Sequence, residues 1–97
     1  MLKVYEELVH LIRERKKKIS KNSYTQKLLN DNDLCKDKIE EEIGELIEAV
    51  EKNTNKIHEA ADVFYHLLVY LEANNINIED VMVELNKRKN QNKKDNL

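Results

Sequence analysis

Five acidic residues on two neighbouring segments carry the clearest chemical signal in this sequence. Glu41, Glu42 and Glu45 form one group, and Glu59 and Asp62 form another, so an ExxE motif precedes an ExxD motif. In a helix, a spacing of three or four residues places such carboxylates on one face. Two acidic faces brought together offer the oxygen ligands that Mg²⁺ prefers. The pattern therefore indicates a cation site built from two helices.

The composition predicts that the segments carrying these acids are helical. The 97 residues include no proline and one glycine, and 37% of them are charged. Folds made of strands and turns normally need more proline and glycine. We therefore predict an all-α fold with a single domain at residues 1–88 and a polar, disordered tail at residues 89–97. A core this small is commonly completed by oligomerisation.

The third predicted helix spans residues 34–52 and has its hydrophobic residues on one side. This apolar stripe consists of Ile39, Ile43, Leu46, Ile47 and Val50. On a helical wheel of about 100° per residue, Glu41, Glu45 and Glu48 lie opposite the stripe, and Glu42 lies near its boundary. Taken alone, this helix is explained by acids that face solvent.

The fourth predicted helix, residues 57–71, favours a functional role for the acids. It is apolar on almost every side, which is typical of a buried helix. Glu59, Asp62 and His66 nevertheless share one of its faces. A buried carboxylate without compensation is too costly to keep, so it must be protonated, paired with a base or bound to a metal. A metal held between the two acidic helices satisfies this requirement.

The remaining elements follow from periodicity and capping signals. A first helix begins at Leu2 and runs into a basic segment. Ser23 is expected to cap a short helix through Leu29, with Gln26 reaching back to the cap. Residues 30–33 are expected to form a turn. Asn77 is the expected cap of a fifth helix.

Charge and hydropathy exclude several classes of partner. Residues 1–27 carry eight Lys or Arg and three acids, residues 31–62 carry four Lys and eleven acids, and the net charge is −2. Nucleic-acid binders are usually net basic, so we expect no nucleic-acid partner. No apolar run approaches the length that crosses a bilayer. With Cys35 as the single cysteine and no signal peptide, we expect a cytoplasmic protein without membrane association and without a catalytic thiol.

Several segments, in this order, resemble the phosphoribosyl-ATP pyrophosphatase family within the MazG-like all-α nucleotide pyrophosphatases. They are Arg15-Lys16, SYTQKLL at residues 23–29, KIEEEIGEL at residues 38–46, HEAADVFYHLLVYL at residues 58–71 and NINIEDVMVEL at residues 75–85. The resemblance implies a helical bundle of about five helices completed by dimerisation, and therefore a homodimer. It also implies the second step of histidine biosynthesis, in which 1-(5-phosphoribosyl)-ATP is hydrolysed to 1-(5-phosphoribosyl)-AMP and pyrophosphate. Asn75 stands where the family often has glycine.

The same resemblance suggests roles for individual residues. Glu42, Glu45, Glu59 and Asp62 are the expected ligands of Mg²⁺, for which Mn²⁺ is a possible substitute. Glu41 is another ligand or orients the attacking water, so the expected catalytic residues are Glu41, Glu42 and Glu45. His66 is expected to support an acid by hydrogen bonding, and Tyr24 to pack in the core. The expected phosphate-binding residues are Lys38, Lys27, Arg15, Lys16 and Ser23, although Ser23 has an equally good explanation as a helix cap.

Two alternatives to this function remain open from the sequence. The acidic motifs are common to related enzymes that hydrolyse deoxynucleoside or modified nucleoside triphosphates, so a house-cleaning pyrophosphatase is one alternative. A non-catalytic helical interaction module, whose acids are merely solvated, is the other. The second alternative leaves Asp62, on an apolar helix, unexplained.

Overall fold

The computed structural model describes residues 2–17 and 23–91, and this part of the chain folds into five α-helices without a β-strand. The all-α prediction is therefore confirmed. The helices are α1 (Lys3–Lys17), α2 (Tyr24–Asn30), α3 (Asn32–Lys52), α4 (Lys56–Ala73) and α5 (Ile78–Gln91). In the described ranges no helix is both long and apolar enough to cross a membrane.

Side-chain caps fix the start of both α2 and α3. The Gln26 backbone N–H donates to Ser23 Oγ at 3.1 Å, which confirms Ser23 as the cap of α2. The predicted turn at residues 30–33 is wrong, because Asp31 alone separates the two helices. The Leu34 N–H donates to Asp31 Oδ1 at 3.0 Å, so one aspartate ends one helix and caps the next. A single connecting residue holds α2 close to the acidic half of α3.

Asparagines in left-handed conformations make the sharp turns at both ends of α4. Asn53 and Asn55 have φ values of 56° and 45° in the α3–α4 connection, and Asn75 has a φ of 59° after α4. Asparagine tolerates this region better than most residues other than glycine. The Thr54 N–H also donates to the Ala49 carbonyl at 3.0 Å, which closes the end of α3. Asparagine thereby replaces glycine at these turns.

The hydrophobic core lies around α4. Its buried members come from four helices and are Val9, Ile12, Leu28, Cys35, Leu68 and Val69. The most extensive contact between helices in the described ranges is that of α3 with α4, and α4 also packs against α1, α2 and α5. The acids of α3 and α4 therefore lie along the main helix–helix seam of the fold.

An ion-pair network ties α1 to the far end of α4. Glu72 is buried, with 5% of its surface exposed. Arg13 Nε donates to Glu72 Oε2 at 3.0 Å, and Lys16 Nζ lies 3.5 Å from Glu72 Oε1. The remaining guanidinium nitrogens of Arg13 bind both carboxylate oxygens of Glu79 on α5, at 2.6 and 2.7 Å. This pairing holds the pKa of Glu79 at about 2 and raises that of Arg13.

The apolar stripe of α3 does not lie in the core of this chain, contrary to the amphipathic pattern. Ile43, Ile47 and Val50 are 44%, 55% and 58% exposed, whereas Glu42 and Ala49 on the other side of α3 are buried. α4, which the sequence predicts to be buried, also leaves Ile57 and Phe64 exposed in a single chain. A single chain therefore buries the side of α3 that carries Glu42 and Ala49 and leaves apolar side chains in solvent.

The fifth helix begins directly after Asn77, as predicted, and extends to Gln91. It therefore runs three residues into the segment expected to be a polar tail. Residues 92–97 lie outside the described part, as do residues 18–22 of the basic segment. The division into a domain at 1–88 and a tail at 89–97 stays a prediction.

Substitution of Leu68 by alanine is expected to destabilise the chain strongly. Leu68 is 1% exposed in the core, so Leu68→Ala removes buried methyl groups and leaves a cavity. Such a change typically costs about 2–5 kcal/mol of unfolding free energy. Urea denaturation measures the loss. Val83→Ala, on a side chain that is 68% exposed, serves as the control and should stay within about 0.5 kcal/mol of the wild type. Equal effects of the two substitutions would contradict the burial described here.

Candidate active site

Three carboxylates of α3 lie close together. One ligand atom from each of Glu41, Glu42 and Glu45 lies within 4.8 Å of the others. Their positions one turn apart explain this approach. Glu42 is buried while Glu41 and Glu45 are exposed, so the group extends from the α3–α4 seam to solvent.

Glu42 is the group most affected by its surroundings. It is 8% exposed, and its Oε2 atom is buried without a hydrogen-bond partner among the described residues. Burial, followed by the hydrogen bond and charge of Glu45 and the charges of Asp62 and Glu59, raises the pKa of Glu42 to about 7. Acids of both motifs thus contribute to the raised pKa of Glu42. We call these five acids, Glu41, Glu42, Glu45, Glu59 and Asp62, the acidic site.

The acids of α4 have a neighbour that the sequence analysis did not select. One ligand atom from each of His58, Glu59 and Asp62 lies within 4.8 Å of the others. His58 Nε2 is 3.4 Å from Asp62 Oδ2 and 3.7 Å from Glu59 Oε1. The Asp62 and Glu59 side chains are 35% and 16% exposed. The position of His58 four residues before Asp62 was the sequence signal that could have identified it, because this spacing places both side chains on one helical face.

His66 supports this region through the backbone rather than through a carboxylate. Its Nδ1 lies 2.7 Å from the Asp62 carbonyl oxygen, which is only an acceptor, so Nδ1 carries a hydrogen. Nε2 is then the acceptor for the Tyr24 hydroxyl at 3.0 Å. Tyr24 is 44% exposed, so it is not the core residue that we expected. Burial and then the charges of Tyr65 and Glu42 raise the pKa of Tyr24.

The predicted phosphate-binding residues lie in different places. Lys38 Nζ is 3.7 Å from Glu41 Oε1, which puts it at the acidic site. Lys27 is exposed in the last turn of α2. The Arg15 carbonyl accepts a hydrogen bond from the Gln26 side chain, which joins α1 to α2.

Lys16 is the predicted base that the structure places away from the acids. Its Nζ donates to the Glu72 carbonyl oxygen at 2.9 Å and pairs with the Glu72 carboxylate. Glu72 follows Asp62 by ten residues on α4, or about 15 Å along the helix axis. Ser23, for its part, acts as the cap of α2. These contacts explain Lys16 and Ser23 by their structural roles.

A polar cleft opens beside the acidic site. Its volume is about 240 Å³, and it is lined by Glu45, Glu48, Ala49, Thr54, Asn55 and Glu59. A larger groove of about 480 Å³ lies between α1 and α5 and is mainly apolar. The larger groove includes no member of the acidic site, so we associate the polar cleft with the chemistry.

The donor set of the acidic site fits a hard divalent cation. A buried carboxylate oxygen without a partner needs a proton or a cation, and Glu42 Oε2 is such an atom. The surrounding groups are carboxylates, which suit Mg²⁺ or Mn²⁺. Cys35 is buried in the core, where burial raises its pKa, so its thiol has no part in the site.

Comparison with known proteins identifies the family of this chain. Residues 5–89 match the model of a family described as phosphoribosyl-ATP pyrophosphohydrolase. This chain belongs to the phosphoribosyl-ATP pyrophosphohydrolase family. The match runs from Tyr5 in α1 to Lys89 in α5 and includes both acidic motifs. No solved structure shows a significant match.

Members of the phosphoribosyl-ATP pyrophosphohydrolase family from bacteria, archaea and fungi are similar to this chain. Over an alignment of 90 residues, this chain is 42% identical to a phosphoribosyl-ATP pyrophosphatase of Clostridium novyi. The alignment covers 89% of this chain and 81% of that protein. A phosphoribosyl-ATP pyrophosphatase of Halobacterium salinarum is 36% identical over 86% of this chain and 94% of its own length. A histidine biosynthesis trifunctional protein of Kluyveromyces lactis is 44% identical over 81% of this chain, but only 10% of that protein is matched.

The raised pKa of Glu42 predicts how the stability of the metal-free protein depends on pH. The folded state binds this proton more tightly than the unfolded state, so stability falls as pH rises from about 4.5 to about 7. Glu42→Gln mimics the protonated carboxyl. It should therefore raise the unfolding free energy at pH 8 by up to about 3 kcal/mol and should flatten this part of the pH dependence.

Urea denaturation in EDTA at pH 5, 6, 7 and 8 measures the effect. Glu40→Gln, on the exposed side of the same helix, is the matched control because it removes the same charge outside the seam. If Glu42→Gln has no more effect at pH 8 than Glu40→Gln, the electrostatic description of Glu42 is wrong.

Proposed function

We propose that this protein hydrolyses 1-(5-phosphoribosyl)-ATP to 1-(5-phosphoribosyl)-AMP and pyrophosphate, the second step of histidine biosynthesis, in a Mg²⁺-dependent reaction. The observation that carries the proposal is the convergence of two acidic helical faces around a buried, unpartnered Glu42 oxygen. The family match and the relatives named as phosphoribosyl-ATP pyrophosphatases support this substrate. We also propose that the protein acts in the cytoplasm.

The acidic site accounts for the binding of a cation and a triphosphate. Glu42, Glu45, Glu59 and Asp62 would hold Mg²⁺, with Mn²⁺ as a substitute. When bound, the cation neutralises phosphate charge and polarises the phosphorus centre. The polar cleft next to Glu45 and Glu59 provides space for the phosphate groups. Carboxylates alone would repel a triphosphate, so a cation is a physical requirement of this substrate.

Residues at the rim of the acidic site are suited to the attacking water. The Glu41 side chain is 54% exposed, and Lys38 lies next to it. Glu41 would orient a water molecule and accept its proton as the water oxygen bonds to phosphorus. The bond between the α-phosphorus and the oxygen that bridges to the β-phosphorus then breaks, and pyrophosphate leaves. Lys38, Lys27 and Arg15 are the candidates to bind phosphate oxygens, whereas Lys16 is engaged by Glu72.

We also propose that the active form is a homodimer that buries the apolar stripe of α3. Ile43, Ile47 and Val50 are each about half exposed on this helix, and Ile57 and Phe64 are exposed on α4. Exposed apolar residues grouped on one helical face are typical of a protein–protein interface. A second copy of the chain is the expected partner because the core of one chain is small.

Loss of a single carboxylate should abolish the activity while the fold survives. Glu45→Gln and Asp62→Asn keep the side-chain size and remove the charge, so each should lower the release of pyrophosphate from phosphoribosyl-ATP with Mg²⁺ by at least about a hundredfold. A coupled pyrophosphate assay measures turnover, and circular dichroism verifies the fold. Glu51→Gln, an exposed acid on the same helix, should remain active.

The same assay decides between the proposed function and its alternatives. Faster hydrolysis of deoxynucleoside triphosphates than of phosphoribosyl-ATP would identify a house-cleaning pyrophosphatase instead. If folded wild-type protein releases no pyrophosphate from any nucleotide, and Mg²⁺ does not raise its melting temperature, it is a non-catalytic helical module.

A charge introduced into the apolar stripe should dissociate the dimer. The wild type should sediment at twice the chain mass of 11.5 kDa, and Ile47→Glu should shift the protein towards the monomer. The reason is that a carboxylate cannot enter an apolar interface without a partner. Analytical ultracentrifugation gives both masses, and Glu40→Lys on the exposed side of α3 is the control. A monomeric wild type at micromolar concentration would contradict the proposed interface.

A further inference from the structure

We propose that His58 is an imidazole ligand of the cation in the acidic site and strengthens the binding of Mn²⁺ and similar transition-metal cations more than that of Mg²⁺. The inference deepens the proposed function and rests on its metal dependence. It concerns a residue outside the ExxE and ExxD motifs, in the first turn of α4.

The geometry of His58 relative to Asp62 and Glu59 suits a shared ion. The spacing of four residues places His58 and Asp62 on one helical face, as in motifs where two side chains one turn apart bind a single metal ion. Their ligand atoms, Nε2 and Oδ2, are 3.4 Å apart, and Nε2 is 3.7 Å from Glu59 Oε1. Adjacent ligands of an ion bonded at about 2.1 Å lie roughly 3 Å apart. Small side-chain movements bring all three atoms to that separation.

A simple hydrogen bond explains the His58 position less well. The 3.4 Å distance from Nε2 to Asp62 Oδ2 is longer than the usual range for such a bond. The imidazole is also 73% exposed, so ion pairing in solvent contributes little.

A second observation points to a cation between the two helices. Glu42 Oε2, on the facing helix, is buried and has no hydrogen-bond partner in the described ranges. Glu45, one turn after Glu42, and Glu59, next to His58, line the same cleft, so the acids beside His58 and those beside the unpartnered oxygen adjoin one space. A cation in this seam would serve both helices.

The imidazole determines which cation is favoured. Mg²⁺ prefers oxygen ligands and gives up its water reluctantly, so a nitrogen donor adds little to its binding. Transition-metal cations accept imidazole together with carboxylates. His58 should therefore strengthen the binding of Mn²⁺ much more than that of Mg²⁺.

The test uses the full chain stripped of metal with EDTA and then given Mn²⁺ or Mg²⁺ alone. In pulsed EPR, Mn²⁺ bound to the wild type should show coupling to ¹⁴N, and His58→Ala should abolish that coupling. The Mn²⁺ dissociation constant should rise about tenfold in His58→Ala, whereas the Mg²⁺ constant, measured by competition, should change less than threefold. Alanine is a strong helix former, so α4 is expected to persist.

The chain offers a complete set of controls because it has three histidines. His10→Ala removes an exposed imidazole on α1 and should leave the ¹⁴N coupling and both constants unchanged. Both ring nitrogens of His66 are engaged, by the Asp62 carbonyl and the Tyr24 hydroxyl, so His66 does not account for the coupling. The proposal is overturned if ¹⁴N coupling is absent from the wild type or persists in His58→Ala. Equal changes of the two constants would also overturn it, because they indicate that His58 only orients Asp62.

Parallel assays of pyrophosphate release separate this inference from the proposed function. If the wild type hydrolyses phosphoribosyl-ATP with Mg²⁺ but shows no ¹⁴N coupling, the role of His58 is wrong and the function stands. If the coupling is present and no nucleotide is hydrolysed, His58 is a metal ligand and the proposed function is wrong.

Discussion

The burial of the Glu42 carboxylate in the seam between α3 and α4 is the constraint on which the rest of this structure depends. The most extensive helix–helix contact in the described ranges is that of α3 with α4, and Glu42 of α3 has a buried oxygen without a hydrogen-bond partner there. Packing favours closure of the seam, while Glu45, Asp62 and Glu59 oppose ionisation inside it. Above about pH 7 the ionised Glu42 therefore destabilises the seam unless a cation compensates its charge.

The same constraint explains the orientation of α3. Because the side of this helix that carries Glu42 and Ala49 is buried, its apolar residues Ile43, Ile47 and Val50 are left exposed. Helical periodicity identifies such a stripe but does not tell whether the same chain or a second copy covers it. A protein that assembles by helix–helix contacts can leave one face of α3 for the acidic site and use the opposite face for association. In that arrangement the acidic site and the proposed dimer interface lie on opposite faces of α3.

Much of the fold could be predicted from the sequence because its signals are local. Ser23 as a helix cap and Asn77 before the last helix depend on residues within one turn, and both positions are confirmed. The turn at residues 30–33 was wrong because Asp31 alone ends α2 and caps α3, a compact solution that composition does not reveal. The partners of Lys16 and Tyr24 depend on tertiary contacts more than forty residues away, which no local pattern determines.

The two buried glutamates differ in how their charges are compensated. Glu72 and Glu42 are equally buried, at 5% and 8% exposure. The fold neutralises Glu72 with Arg13 and Lys16 from α1, as a buried carboxylate requires. Within the described ranges no lysine or arginine pairs with Glu42, and the neighbours that shift its pKa are themselves acids. The chain therefore supplies bases to a buried acid at one end of α4, whereas the described residues supply none to Glu42, and this contrast supports the proposed cation site.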